Sequence, residues 1–266
     1  MQIRLSIVAV LLAFLGAGGC AHTWSQRSGL PGEFTVARYQ VMIHSDFPLP
    51  EHHRLMEDLH AQRIDLAKRL ALPPSDEPIH VYVFETPERF NEFMRSHHPE
   101  FPKRRAFFVE TDTRLSVYTQ WGDRVGDDLR HEAAHGHLHS VVRNLPLWLD
   151  EGLAKYSENP PYRGGVNREL MQYIAPRLQQ NIWQPDLTRL ERIAPDRDMS
   201  LAEYAEAWAW VRFCMDTQPE YLEALRTYLA DLRRGGPVEP LSARLRRLTP
   251  NPEFALIEHM RSLTAQ

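Results

Sequence analysis

Two histidines four residues apart, in His131-Glu132-Ala133-Ala134-His135, are followed by Pro146 and then by Glu151. On an α-helix residues i and i+4 share one face about one turn apart, so both imidazoles can reach a common point. Glu132 lies a quarter-turn round and is placed to take a proton from water rather than to ligate. Asn144-Leu145-Pro146 interrupts the helix, and Leu147-Trp148-Leu149-Asp150-Glu151-Gly152-Leu153-Ala154-Lys155-Tyr156 opens another. A helix–turn–helix hairpin then returns the Glu151 carboxylate to the paired histidines. The chain has to fold with two helices back to back and a polar cluster sealed between them. Two imidazoles and a carboxylate form a His₂Glu set suited to zinc, with a fourth position open for a water whose pKa the ion lowers to about 7.

Other polar residues nearby fit this cluster less well. His139 lies one further turn along, but a rise of 1.5 Å per residue puts it about 12 Å from His131, too far for one ion. His137 points off that face. Ala133, Gly136 and Ser140 make the opposite face small, which suits close packing against a neighbour. His53, Glu57 and His60 read as a solvated stripe, and so do the arginines at 233, 234, 244, 246 and 247. Trp208 and Trp210 cannot share one helix face, so one is expected in the core and the other at its rim.

Coarse periodicity organises the rest. Leu55, Leu59, Ile64, Leu66 and Leu70 recur at helical spacing until Pro73-Pro74 stops them. Residues 79–84, 106–109 and 115–118 are β-branched and aromatic and read as strands, the last two joined by a polar turn. A short helix from Pro87 to Arg95 has Thr86 as its N-cap. After about Asp123 the pattern is helical, in segments near 124–142, 147–158, 167–180, 199–216, 219–233 and 239–248. The class is α+β: a small mixed or antiparallel N-terminal sheet with helices over 37–123, then a helical half over 124–266 that carries the metal site. Apolar residues make up 43% of the 266 and the net charge is −4. That is enough for a core, and it lacks the basic stripe that nucleic acid requires.

The two motifs together, HEAAH and WLDEGLAKYSE, resemble the gluzincin zinc metallopeptidases, in particular the peptidase-MA-like and aminopeptidase-N-like families. The resemblance implies a zincin-like fold, with His131, His135 and Glu151 as metal ligands and Glu132 as general base in the hydrolysis of a peptide or protein substrate. Glu158 matches a glutamate seven residues after the ligand in some members and is placed to support it. Tyr204, opening the segment Tyr204-Ala205-Glu206-Ala207-Trp208, matches a tyrosine whose hydroxyl stabilises the oxyanion. An edge strand of the sheet, before the metal helix, binds extended peptide in such families, which puts Leu115 to Tyr118 in that role. The chain departs from the pattern in three ways. The gap to Glu151 is shorter than in aminopeptidases, their amine-binding motif is absent, and Lys155 stands where thermolysin-like members place an aspartate that orients a zinc histidine.

Arg4, an apolar run from Leu5 to Leu15, and Gly16-Ala17-Gly18-Gly19 before Cys20 have the anatomy of an export signal over 1–20. The small residues and Cys20 resemble the lipobox of bacterial lipoproteins. This implies lipidation of Cys20, a membrane anchor, a tether over 21–36, and an outer-membrane protein of the cell envelope facing the periplasm. Cys214 is then left without a disulfide partner. The alternative from another class is a catalytically inactive envelope lipoprotein that keeps a zincin scaffold as a binding or assembly module.

Overall fold

The computed structural model describes residues 29–50, 53–159 and 165–264; the expected signal segment, Cys20 and residues 21–28 of the expected tether lie outside them. Among these residues the chain is mixed α/β, with five strands, ten helices and a mostly helical content. No helix there is long and apolar enough to cross a membrane.

The sheet has the order β1-β2-β3-β5-β4 and is mixed. β1 (Phe34–Arg38) pairs antiparallel with β2 (Val41–Ser45), and β2 runs parallel to β3 (Ile79–Phe84). β3 runs parallel to β5 (Arg114–Gln120), against which β4 (Ala106–Thr111) lies antiparallel at the free edge. β3 is buried on both sides and accordingly reads as a near-continuous apolar run, Ile-His-Val-Tyr-Val-Phe. One face packs Val41, Ile43, Ile79, Val81 and Val117 against helices α1 (Arg54–Leu70) and α3 (Val125–His139). The other packs Tyr82, Phe84, Phe107 and Tyr118 against α2 (Pro87–His97), whose N-cap Thr86 accepts from the Arg89 amide.

The sequence expectation of three strands and a tether to residue 36 is corrected at its start, because β1 begins at Phe34. The β1–β2 turn is made by Tyr39 and Gln40, both with positive φ (55° and 60°). Two left-handed central residues suit the right-handed twist of a hairpin, but the usual Asn-Gly signal is missing, so the hairpin leaves little trace in sequence. Leu115 to Tyr118 is also not an edge: β5 lies between β3 and β4, and the edge strands of the sheet are β1 and β4.

α3 is shared between two cores. Val125, Leu129 and Ala133 face the sheet, while Ala134 and Leu138 face the helical half. At Gly136 a Cβ would stand 2.7 Å from Ile79 Cδ1, so the small residues on this face do permit close approach to the sheet. Arg130, buried, ties three helices: its Nε donates to the Ser157 carbonyl, and its guanidinium pairs with Asp58 at 3.0 Å.

The helical half comprises α4 (Leu147–Glu158), α5 (Arg168–Gln179), the single turn α6 (Leu187–Leu190), α7 (Leu201–Asp216), α8 (Pro219–Arg234), α9 (Leu241–Leu248) and α10 (Pro252–Thr264). α7 starts with a capping box, in which the Ser200 side chain accepts from the Glu203 amide and Glu203 reaches back to the Ser200 amide. It is apolar almost all round because helices and the site surround it, so Trp208 and Trp210 are both buried, contrary to the expectation of one at the rim. Two further expectations are corrected. Ile64 is exposed, its place on the buried face of α1 being taken by Met56 and Gln62. Arg244 is buried and paired with Asp231 rather than on a solvated face.

α4 and α7 approach closely at Gly152, where a Cβ would come 2.8 Å from the Ala207 carbonyl oxygen, a backbone atom that cannot swing aside. Gly152→Ala is therefore expected to destabilise the fold by about 1–3 kcal/mol, since overpacking outweighs the gain in helix propensity. Equilibrium denaturation reads this directly. A variant as stable as wild type would show that the two backbones are not in contact there.

Candidate metal centre

The α3–α4 hairpin is antiparallel, as its side-chain pairs show. Asp150 at the start of α4 meets His135 and His139 near the end of α3, and Glu158 at the end of α4 meets His131. Glu151 falls between them. His131 Nε2 and His135 Nε2 stand 3.3 Å apart, and Glu151 Oε2 lies 3.4 Å from the first and 3.9 Å from the second. The edge of a tetrahedron whose corners are about 2.0–2.1 Å from its centre is about 3.3–3.4 Å. The three atoms thus have nearly the spacing of three corners around one small cation.

The polar partners reinforce this. His135 Nδ1 is 2.8 Å from Asp150 Oδ1, and His131 Nδ1 is 2.9 Å from Glu158 Oε1, an ion-pair distance rather than an aligned hydrogen bond. A carboxylate beside each Nδ1 favours a proton there, so that each Nε2 can offer its lone pair to a cation. Glu151 Oε2 is itself buried and makes no hydrogen bond. Three electron-rich atoms turned towards one another out of water repel unless a positive charge lies among them. The donor set and the orphaned carboxylate oxygen fit a metal ion.

Charge around the cluster points the same way. Burial depresses the basicity of His131, but Glu151, Glu158 and Glu132 outweigh it and raise its pKa to about 10. Although burial works to raise it, the two imidazoles hold Glu151 below its ordinary value. Glu158, against its own burial, is drawn down to about 2 by His131 and Lys155. Lys155 Nζ and the Asn167 amide each hold one Glu158 oxygen at 2.8 Å. These carboxylates stabilise positive charge at the imidazoles, whether carried as protons or as a cation.

Asp150 was not legible as a site residue in the sequence. It bonds His135 from the position just before Glu151, whereas Lys155 stands four residues after it. His135, His139 and Asp150 also have ligand atoms close together. Their 2.8 and 3.0 Å separations are hydrogen-bond lengths, shorter than the edge of a coordination tetrahedron, so Asp150 bridges the two rings. His139 is thus not a third ligand beside His131, and His137 is buried on the α1 side of the helix, its pKa lowered to about 3 mainly by burial.

Glu132 opens onto a cleft of about 870 Å³ together with His131, Glu158, Tyr204, Arg104 and the first residue of β4, Ala106. Burial raises the pKa of Glu132, with the two imidazoles acting in the opposite sense. Tyr204 comes from the first turn of α7, and its hydroxyl lies 3.4 Å from Glu151 Oε1. Burial pushes its pKa up to about 12, so it remains a donor. Arg104 lies across the cleft beside Tyr204, a meeting of a loop with α7 that no local sequence pattern announces. His131, Glu132, His135, Glu151 and Tyr204 are therefore brought together, while Cys20 is outside the described residues. Compared with known proteins, the chain matches no family model and no curated sequence.

A cation that binds only the folded protein stabilises it, by about 2.7 kcal/mol at a free concentration one hundred times its Kd. Zinc is expected to raise the unfolding midpoint of metal-stripped protein, chelator to reverse this, and Glu151→Ala to abolish most of the shift. An unchanged midpoint in wild type would contradict the assignment of the centre.

Proposed function

We propose that this protein is a zinc-dependent peptidase of the gluzincin type on a zincin-like fold, exported and anchored to the envelope membrane through Cys20. The observation that carries this reading is the meeting of His131 Nε2, His135 Nε2 and Glu151 Oε2 at nearly tetrahedral spacing beside a half-buried acid, Glu132, that opens onto a cleft. The export and anchor part rests on the N-terminal sequence alone.

Zinc held by these three residues would supply a Lewis acid that polarises the scissile carbonyl and makes water easier to deprotonate. Glu132 takes the proton from the attacking water. Its raised pKa makes it a better base than a solvated carboxylate and lets it hand that proton to the departing amine. The new C–O bond and the broken C–N bond then account for every atom, with one carboxylate and one amine as products. Tyr204, which stays protonated well above neutral pH, donates a hydrogen bond to the oxygen on which negative charge develops. Arg104 faces the phenol from the loop side. The free edge of β4 offers unpaired main-chain groups at the rim of the cleft, where an extended peptide could add as a strand.

Cleavage of a broad peptide library, read by mass spectrometry, tests this. Glu132→Gln is expected to keep its zinc and to lose at least about 100-fold in kcat. Tyr204→Phe should lose about 10²–10³ in kcat with little change in KM, the size of effect seen when one oxyanion donor is removed. Zinc-loaded wild type with no cleavage, or Glu132→Gln with undiminished turnover, would refute the peptidase reading.

A further inference from the structure

The mechanism above makes no use of His139, yet both of its ring nitrogens are engaged. Nε2 lies 3.0 Å from Asp150 Oδ2, and Nδ1 lies 2.6 Å from Glu110 Oε2. The other Asp150 oxygen meets His135 Nδ1 at 2.8 Å. A continuous path Glu110–His139–Asp150–His135 thus runs from the sheet to the imidazole whose Nε2 faces the metal position. Carboxylates accept, so each His139 nitrogen meets its carboxylate as a donor.

Glu110 belongs to β4, one of the two edge strands of the sheet. Two residues back on the same face, Phe108 stacks on the His135 ring with centroids 5.8 Å apart and meets His139 edge-on at 5.1 Å. β4 therefore touches the row of histidines twice, once by packing and once by charge. An Asp150 carboxylate bonded only to His135 could rotate about its side-chain torsions, whereas a second, charged bond from His139 fixes its plane.

We propose that His139 is a positioning residue that ties the metal-ligand ring of His135 to edge strand β4, through Asp150 on one side and Glu110 on the other. The proposal rests on the metal centre argued above. It adds that the affinity of the centre depends on a residue of the sheet that never reaches the ion. Outer partners of ligating histidines commonly contribute about 10- to 100-fold in metal affinity. The path also predicts how effects combine. Residues acting through one chain of contacts are non-additive, and residues on separate chains add. Glu158 reaches the centre by a separate route, through His131.

The test is the zinc dissociation constant of the full chain, purified in detergent and measured by competition with a chromophoric chelator, with no peptide present. His139→Ala is expected to weaken zinc binding about 10- to 100-fold. Glu110→Gln, at an exposed position, is expected to weaken binding by a smaller factor and to have no further effect once His139 is alanine. Glu158→Gln should multiply with His139→Ala. Unfolding midpoints of the metal-free variants separate lost positioning from lost folding, and His139→Gln, which keeps a donor but cannot bridge both carboxylates, should remain closer to His139→Ala than to wild type. His139→Ala with wild-type zinc affinity, or Glu110→Gln with the same effect in either background, would overturn the proposal while leaving the centre intact. Wild type that binds no zinc would overturn the centre itself and this proposal with it.

Discussion

Two imidazole nitrogens and a carboxylate oxygen are held face to face, out of water, by partners that remove their freedom to turn away. Asp150 and Glu158 sit behind the rings, and Glu151 Oε2 has no hydrogen bond to relieve it. Burying a charged oxygen without a hydrogen bond is a costly arrangement in a fold. A cation at the meeting point converts that cost into binding free energy. The surrounding structure is best understood as the scaffold that makes this convergence unavoidable.

Each layer contributes to it. The sheet fixes α3 through Val125, Leu129 and Ala133, with Gly136 permitting contact with Ile79. Arg130 then locks α3 to α1 and to the end of α4. α7 presses on the other side of α4 at Gly152, which brings Tyr204 alongside Glu151. The site therefore lies at the junction of the sheet and the helical half rather than wholly within one of them.

The elements legible in the sequence were those encoded over short range. HEAAH needs only helical spacing, and Glu151 needs only a hairpin whose turn is announced by Pro146. Thr86 capping α2 and the apolar run of β3 were legible for the same reason. What escaped depends on partners far along the chain. Asp150 differs from any helix-surface acid only because His135 and His139 face it across the hairpin. Arg104 becomes relevant only when a loop before β4 folds over α7. The order of strands could not be read from their order in sequence, since β5 pairs with β3 and pushes β4 to the edge. Tyr39-Gln40 adopts a left-handed turn without the glycine that would have signalled it, and the tryptophans of α7 are both buried because helices cover that segment on every side.

X-ray absorption at the zinc edge of the loaded protein most directly tests whether these three side chains share one ion. The account predicts a four-coordinate shell of light atoms at about 2.0–2.1 Å containing two imidazoles, with one carboxylate oxygen lost in Glu151→Gln. A six-oxygen shell, a single imidazole, or a shell unchanged by Glu151→Gln would contradict it.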